Sequence, residues 1–143
     1  MQKYNLQPGT GFIKRRVNLA GQDPIYQQIW DECYNPKTGA LFFAEHCCYT
    51  RNNGIVKYNP RDYQKEMLFL MNNHQSVISL IARQMGKTVT SCCYILWYGM
   101  AFPEKDILIT SFGEKSAVEN MSKIKSMYEY CPDFLKIPII KNN

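Results

Sequence analysis

The stretch that decides the expected fold is Ile81-Ala82-Arg83-Gln84-Met85-Gly86-Lys87-Thr88, in which Gly-Lys-Thr directly follows an apolar run. Loops of this kind bind phosphates, because backbone N–H groups and the positive end of a helix surround the anion. Gly86 would let the backbone approach the phosphates closely, and Lys87 would reach the β- and γ-phosphates. The Thr88 hydroxyl would hold the bridging Mg²⁺. The stretch therefore predicts a site for ATP and Mg²⁺.

The sequence on either side of this stretch has the order strand, loop, helix. Residues 76–82 form a short, mostly apolar run typical of a buried strand, and no proline interrupts the helical pattern from Thr88 to Met100. The full pattern G-x-x-x-x-G-K-[ST] asks for glycine at position 81, where this chain has Ile81. The alternative interpretation is that Gly86 opens an ordinary helix whose lysine is merely solvated.

Downstream of that helix the same order repeats. Residues 106–111 predict a second strand, and a helix is predicted from about 114 to 130, with a buried face marked by Val118, Met121, Ile124 and Tyr128. Strand, helix, strand, helix predicts the α/β class with a parallel sheet. A right-handed crossover would place the ligand at the carboxyl edge of that sheet.

Three further elements are predicted upstream. Apolar residues at every fourth position predict a short amphipathic helix over 24–34, and residues 41–50 predict a helix or a strand. Residues 55–58 alternate like a strand after a turn at 51–54. We expect the apolar residues of these elements to lie in the hydrophobic core, and their spacing alone assigns no function to them.

A helix beginning near residue 59 carries Tyr63 and Gln64 in its first turn. A glutamine amide matches both the exocyclic amine and a ring nitrogen of adenine, and a tyrosine ring stacks on the base. Taken alone, the pair is also a plain polar first turn. Glu45 beside His46 suggests acid/base chemistry, but sequence neighbours point apart on a helix or a strand, so we interpret them as surface residues.

Composition favours a single soluble domain. The chain has 143 residues and 45% apolar content, which suffices for one core. No apolar run approaches the roughly 20 residues of a membrane span, and the N-terminus lacks a signal-peptide core, so we expect an intracellular protein. The six cysteines show no C-x-x-C spacing, which favours small buried thiols over the alternative of a zinc or disulfide framework.

The net charge of +5 is concentrated upstream of the loop. Residues 1–61 hold eight Lys and Arg against four Asp and Glu. Within residues 1–22, which read as an extended arm, Lys14-Arg15-Arg16 would suit DNA phosphates but also a solvated arm, the interpretation we favour. Charge alone does not predict a nucleic-acid binder.

Phosphoryl transfer also needs an acidic element, usually an apolar strand that ends in Asp and a nearby Glu. No such strand follows Thr88, and the one Asp-Glu pair, Asp31-Glu32, lies upstream in a helical pattern. Two strands are also too few for a sheet covered on both faces. We therefore expect the front part of a larger ATPase domain, which binds ATP and hydrolyses it poorly by itself.

Two segments together resemble a known family. They are Phe43-Ala44-Glu45 through Arg61-Asp62-Tyr63-Gln64-Lys65-Glu66-Met67-Leu68, and Ala82-Arg83-Gln84-Met85-Gly86-Lys87-Thr88. They are similar to the ATPase domain of the large terminase subunit of tailed bacteriophages, the motor that packages DNA. The similarity runs from about Leu41 to Leu135 and ends in Cys131-Pro132-Asp133-Phe134-Leu135.

This resemblance implies a P-loop NTPase fold of the RecA/ASCE-like kind, incomplete at its C-terminal side. It implies a lid-like helical part at about 23–60 and a nucleotide-binding part at about 61–143. Arg83 would sense the γ-phosphate, and Arg83 and Lys87 would be the catalytic residues. Thr88 would be the metal ligand. The full set of residues implied to bind the nucleotide is Tyr63, Gln64, Arg83, Gln84, Met85, Gly86, Lys87 and Thr88.

The resemblance also implies partners: double-stranded DNA, a portal protein and a small terminase subunit, around a homo-oligomeric ring. It implies the cytoplasm of a phage-infected bacterium, with transient location at the procapsid portal, and a nuclease domain that this chain lacks. Two alternatives remain. One is a fragment of a helicase-like DNA translocase, and the other is a truncated, non-catalytic nucleotide-binding remnant.

Overall fold

Helices make up most of the part of the chain that the structure describes. The computed structural model describes residues 24–102 and 105–137, of which 58% are helical. In chain order the elements are α1 (Pro24–Cys33), α2 (Gly39–His46), β1 (Tyr49–Arg51), β2 (Ile55–Lys57), α3 (Asp62–Asn73), α4 (Lys87–Ala101), α5 (Glu114–Tyr130) and a final 3-10 helix (Asp133–Leu135).

The sheet in the described residues is a single antiparallel hairpin. Strands β1 and β2 pair Tyr49 with Lys57 and Arg51 with Ile55. The turn between them places Gly54 at φ 133°, a conformation that L-residues with a side chain rarely adopt. The turn and the second strand therefore lie where the sequence pattern predicts them.

The predicted α/β class is wrong. No parallel sheet of a P-loop NTPase is present among the described residues. Residues 76–82 and 106–111, the two predicted strands, form neither strand nor helix, and they make no backbone–backbone hydrogen bond with another described residue. Leu80 and Leu108 on these two unpaired segments are 103% and 88% exposed. An apolar run supplies β-propensity, but a strand also needs a neighbour for its backbone groups and a cover for its face.

Helix α4 lies at the centre of the fold, where it packs against α2, α3 and α5. Its fifteen residues contain no proline, and the residues that face the core recur at helical spacing: Thr90, Cys93, Trp97 and Met100. The helix ends at Ala101, and the N–H of the next residue, Phe102, donates to the Tyr98 carbonyl. This spacing lets one helix bury one continuous stripe.

One part of the core joins α1, α2 and α4. Trp97 is 1% exposed and donates its indole N–H to the Cys33 carbonyl over 2.7 Å. The thiols of Cys33 and Cys47 lie 3.3 Å apart, and all six cysteines are free and buried. Burial raises the pKa of the Cys33 thiol well above its ordinary value, with the Cys47 thiol adding to the effect, so the group stays protonated.

Helix α5 has the predicted bounds, but only part of its predicted buried face is covered. Tyr128 is buried beside Met127, whereas Val118 and Met121 are 61% and 44% exposed. The spacing correctly identified the helix. The spacing could not identify which turns of α5 pack against other elements of the fold.

The predicted arm at residues 1–22, with Lys14-Arg15-Arg16, lies outside the described residues. No helix in the described ranges is long and apolar enough to cross a bilayer. The boundary predicted near residue 60 falls between β2 and α3, and α2 contacts both α3 and α4. The division at that boundary stays a prediction.

Candidate functional site

The site begins where the backbone turns into α4. Gln84 and Gly86 both have positive φ, of 63° and 74°, and Lys87 is the first residue of the helix. No side chain caps this end of the helix. The N–H groups of Lys87, Thr88 and Val89 have no acceptor inside the helix, because the first intrahelical bond runs from Thr90 to Gly86. The end of α4 therefore presents donors and a positive dipole.

Glycine is required at position 86 for two reasons. Its φ of 74° is left-handed, which strains any residue with a Cβ. A Cβ built there would also stand 2.5 Å from Gln64 Nε2. The glycine of the Gly-Lys-Thr motif thus suits both the left-handed turn and the close approach of Gln64, independently of any ligand.

The Met85 carbonyl is held by two side chains of α3. Tyr63 donates its hydroxyl to this oxygen over 2.7 Å, and Gln64 Nε2 donates to it over 3.2 Å. Gln64 Oε1 meanwhile accepts the Arg61 N–H over 2.9 Å, and the residue is 6% exposed. The two residues predicted to recognise adenine therefore position the loop here. Recognition of adenine by them stays a prediction.

The next carbonyl, that of Gly86, is held by Thr90. It accepts the Thr90 N–H over 3.1 Å and the Thr90 hydroxyl over 3.2 Å. Behind it, the Tyr58 hydroxyl lies 2.8 Å from Thr90 Oγ1. Sequence reasoning missed both residues, because no motif spacing links positions 58 and 90. The one available signal was Tyr58, which is the last residue of the alternation predicted over 55–58.

Within the described part of the chain, the basic residues of the loop have no carboxylate partner. Lys87 extends back across the loop, and its Nζ lies 3.4 Å from the Ile81 carbonyl oxygen. Arg83 and Gln84 are exposed at the loop surface. Neither Arg83 nor Lys87 forms an ion pair in residues 24–102 or 105–137. Both cations are therefore available to an anion.

A cleft of about 400 Å³ opens beside the start of α4. This volume suits a small-molecule ligand. Both unpaired segments border it, through Val77 and Ser79 on one and Ile109 and Thr110 on the other. Its polar lining comprises Ser79, Lys87, Thr88, Ser91, Thr110 and Asn120. The predicted strands thus flank the site although they pair with nothing in the described residues.

No Asp or Glu is among the described residues that line this cleft. Among the described lining residues the one charged group is the Lys87 ammonium, so this part of the cleft favours anions. Of the described residues, no group of three or more His, Cys, Asp or Glu is placed to hold a metal ion. The Thr88 hydroxyl, which the sequence predicts as the metal ligand, lines this cleft without a carboxylate among the described lining residues.

Glu45 and His46 are not placed as an acid/base pair. Glu45 forms an ion pair with Lys65, with Oε1 and Nζ 2.7 Å apart. The His46 ring packs against the Phe42 ring in a tilted arrangement, with ring centroids 4.5 Å apart. Burial lowers the pKa of His46, and Lys57 lowers it further, while Glu45 opposes both. The two residues have separate structural contacts.

A scan of the chain against protein-family models finds no match. The similarity to large terminase subunits therefore rests on the motifs of residues 43–68 and 82–88. What it implies for residues, partners and location stays a prediction.

Proposed function

We propose that the 83–88 loop and the adjoining cleft bind the phosphates of ATP with Mg²⁺. The observation that carries this proposal is the uncapped start of α4, where a left-handed Gly86 is followed by Lys87 and Thr88 at the edge of the cleft. The start of α4 supplies N–H donors that have no acceptor inside the helix, together with the positive end of the helix dipole, and Lys87 and Thr88 line the 400 Å³ cleft.

The residues present fit this ligand. Backbone N–H groups at the start of α4 would donate to phosphate oxygens, and Lys87 would neutralise charge between them. Mg²⁺ would screen the phosphate charge and orient the terminal phosphate, with Thr88 as its protein ligand. Arg83, exposed beside the loop, would stabilise charge that develops on the γ-phosphate. Tyr63 and Gln64 would contact the adenine.

We propose that the chain belongs to the ATP-binding part of a terminase-like motor, which couples ATP hydrolysis to translocation of double-stranded DNA into a procapsid. Supporting this is the direct contact between the two segments that carry the resemblance, since Tyr63 and Gln64 both bond to Met85. On this proposal the portal protein, the small subunit and further copies of the chain are its partners, in the cytoplasm of an infected bacterium.

The test is equilibrium binding of ATP with Mg²⁺, measured by calorimetry on the intact chain. Removing a charged partner of a phosphate is expected to weaken binding about ten- to a hundredfold in Lys87→Ala. Lys37→Ala, which removes an exposed lysine in the turn before α2, is the matched control and should bind as the wild type does. Equal affinity of the wild type and Lys87→Ala would contradict the proposal.

A second candidate is a nucleotide-binding remnant without turnover. The lack of Asp and Glu along the described cleft favours it, because hydrolysis needs a group that orients water and metal. Steady-state release of phosphate by the purified chain distinguishes the two. Turnover of the order of one per second or faster, abolished by Lys87→Ala, would exclude the remnant.

A further inference from the structure

We propose that Tyr58 and Thr90 are positioning residues for the phosphate site, because they hold the Gly86 carbonyl in the one orientation that aims the loop N–H groups at the ligand. This inference rests on the proposed function of the 83–88 loop. It assigns a role to the end of the β1–β2 hairpin, which no sequence motif connects with nucleotide binding.

The argument starts from the geometry of the peptide bond. A trans peptide is planar, so the N–H of one residue points opposite to the carbonyl of the residue before it. Fixing the Met85 carbonyl therefore fixes the Gly86 N–H, and fixing the Gly86 carbonyl fixes the Lys87 N–H. The loop needs both peptides held if its donors are to face the phosphate.

Each of these carbonyls accepts two hydrogen bonds from protein groups. Met85 accepts from Tyr63 and Gln64 on α3, while Gly86 accepts from the backbone and the hydroxyl of Thr90. Carbonyls that point into the protein leave their partner N–H groups directed away from it. The two peptides are thus oriented independently, one from α3 and one from α4.

The direction of the Tyr58–Thr90 bond follows from the number of protons. Thr90 has one hydroxyl proton, which it donates to Gly86, so Tyr58 donates its own proton to Thr90 Oγ1 over 2.8 Å. Tyr58 and Thr90 are 8% and 0% exposed. Burial raises the pKa of Tyr58 well above its ordinary value, so the donor stays protonated at every physiological pH.

The hairpin anchors this donor. The Tyr58 N–H donates to the Cys48 carbonyl over 2.9 Å, next to the pairing of β1 with β2. The ring therefore reaches α4 from a backbone that is itself fixed. Without the Tyr58 hydroxyl, Thr90 can turn its proton elsewhere, and the Gly86 peptide loses one constraint on its orientation.

The experiment measures the affinity of the intact chain for two probes, inorganic tripolyphosphate with Mg²⁺ and ATP with Mg²⁺. Tyr58→Phe and Thr90→Val should each weaken binding of both probes about three- to tenfold, the effect of one hydrogen bond. Thr90→Ser retains the hydroxyl and should bind as the wild type does. In the Thr90→Val background, Tyr58→Phe should have no further effect, because its acceptor is gone.

A purely structural role for these residues predicts a different result. In that case Tyr58→Phe and Thr90→Val would lower the free energy of unfolding measured in urea but leave the affinity of the folded protein for both probes unchanged. Tyr34→Phe is the control, since it removes a tyrosine hydroxyl bonded to the Leu135 carbonyl, away from the loop. It should leave both affinities unchanged.

The outcomes separate the inference from the function on which it rests. If the wild type binds both probes and Tyr58→Phe binds them equally well, the positioning role is wrong and the phosphate site stands. If only ATP binding weakens, the residues act on the base, and the inference is also wrong. If the wild type binds neither probe, the proposed function fails, and the inference fails with it.

Discussion

Helix α4 and the two unpaired segments are similarly apolar in sequence, but the side chains of α4 are buried and those of the segments are largely exposed. Helix α4 buries Cys93 and Trp97 to within 1% of full burial. The two unpaired segments, 76–82 and 106–111, expose Leu80 and Leu108 almost completely. The difference is that three helices cover α4, whereas no strand lies beside either segment in the described residues.

The comparison shows what an apolar pattern can and cannot predict. In a helix the backbone bonds are internal, so periodicity alone identifies the element. In a strand the backbone hydrogen bonds are made to another segment of the chain, and the local sequence does not identify that partner segment. Thus α4 and α5 lie where the pattern predicts them, and the parallel sheet does not form.

The largest expected effect separates the two regions directly. Trp97→Ala leaves a cavity and removes the donor to the Cys33 carbonyl, and should lower the free energy of unfolding by about 3–5 kcal/mol. Leu108→Ala should change it by less than about 0.5 kcal/mol. Urea denaturation measures both. A comparable loss for Leu108→Ala would mean that its segment is packed, and the comparison would fail.

A smaller effect is expected at the boundary between the regions. Gly86→Ala places a Cβ at a left-handed φ and 2.5 Å from Gln64 Nε2, and should cost about 1–3 kcal/mol and weaken ATP binding. Gly113→Ala, before α5, meets no heavy atom within 4 Å and is the matched control. Equal stability of the two variants would show that the 83–88 loop is not held against α3.

The site was predictable in part. Gly-Lys-Thr correctly marked the start of α4, because a glycine with free φ and a helix N-terminus are properties of a short local sequence. The contacts of Tyr63 and Gln64 with Met85 join residues 21 or more positions apart, and Tyr58 meets Thr90 across 32 positions. Pairings at that separation depend on how the helices pack, which no local pattern contains.

The exposed segments should affect association more than stability. Contiguous exposed apolar side chains promote self-association. The double substitution Leu80→Lys with Leu108→Lys should reduce concentration-dependent association in analytical ultracentrifugation and leave the urea midpoint near that of the wild type. Matched substitutions at the polar positions Ser79 and Thr110 should have less effect. A large drop in the midpoint for the leucine pair would instead indicate buried side chains.

The smallest effect is a pH dependence at the rim of the core. The pKa of His46 is lowered from its ordinary 6.5, mainly by burial and then by Lys57. Between the folded pKa and 6.5 the unfolded chain binds more protons, so stability should fall as the pH falls through this window. His46→Gln should flatten that part of the profile of unfolding free energy against pH. An unchanged profile would mean that His46 titrates equally in both states.

The most direct test of the phosphate site is amide hydrogen exchange of the intact chain with and without saturating ATP and Mg²⁺. The account predicts slower exchange in peptides covering residues 83–90, where the N–H groups of Lys87 and Thr88 would acquire phosphate acceptors, and little change in α1 and α2. Ligand-dependent protection confined to other residues, or none at all under conditions where calorimetry detects binding, would contradict it.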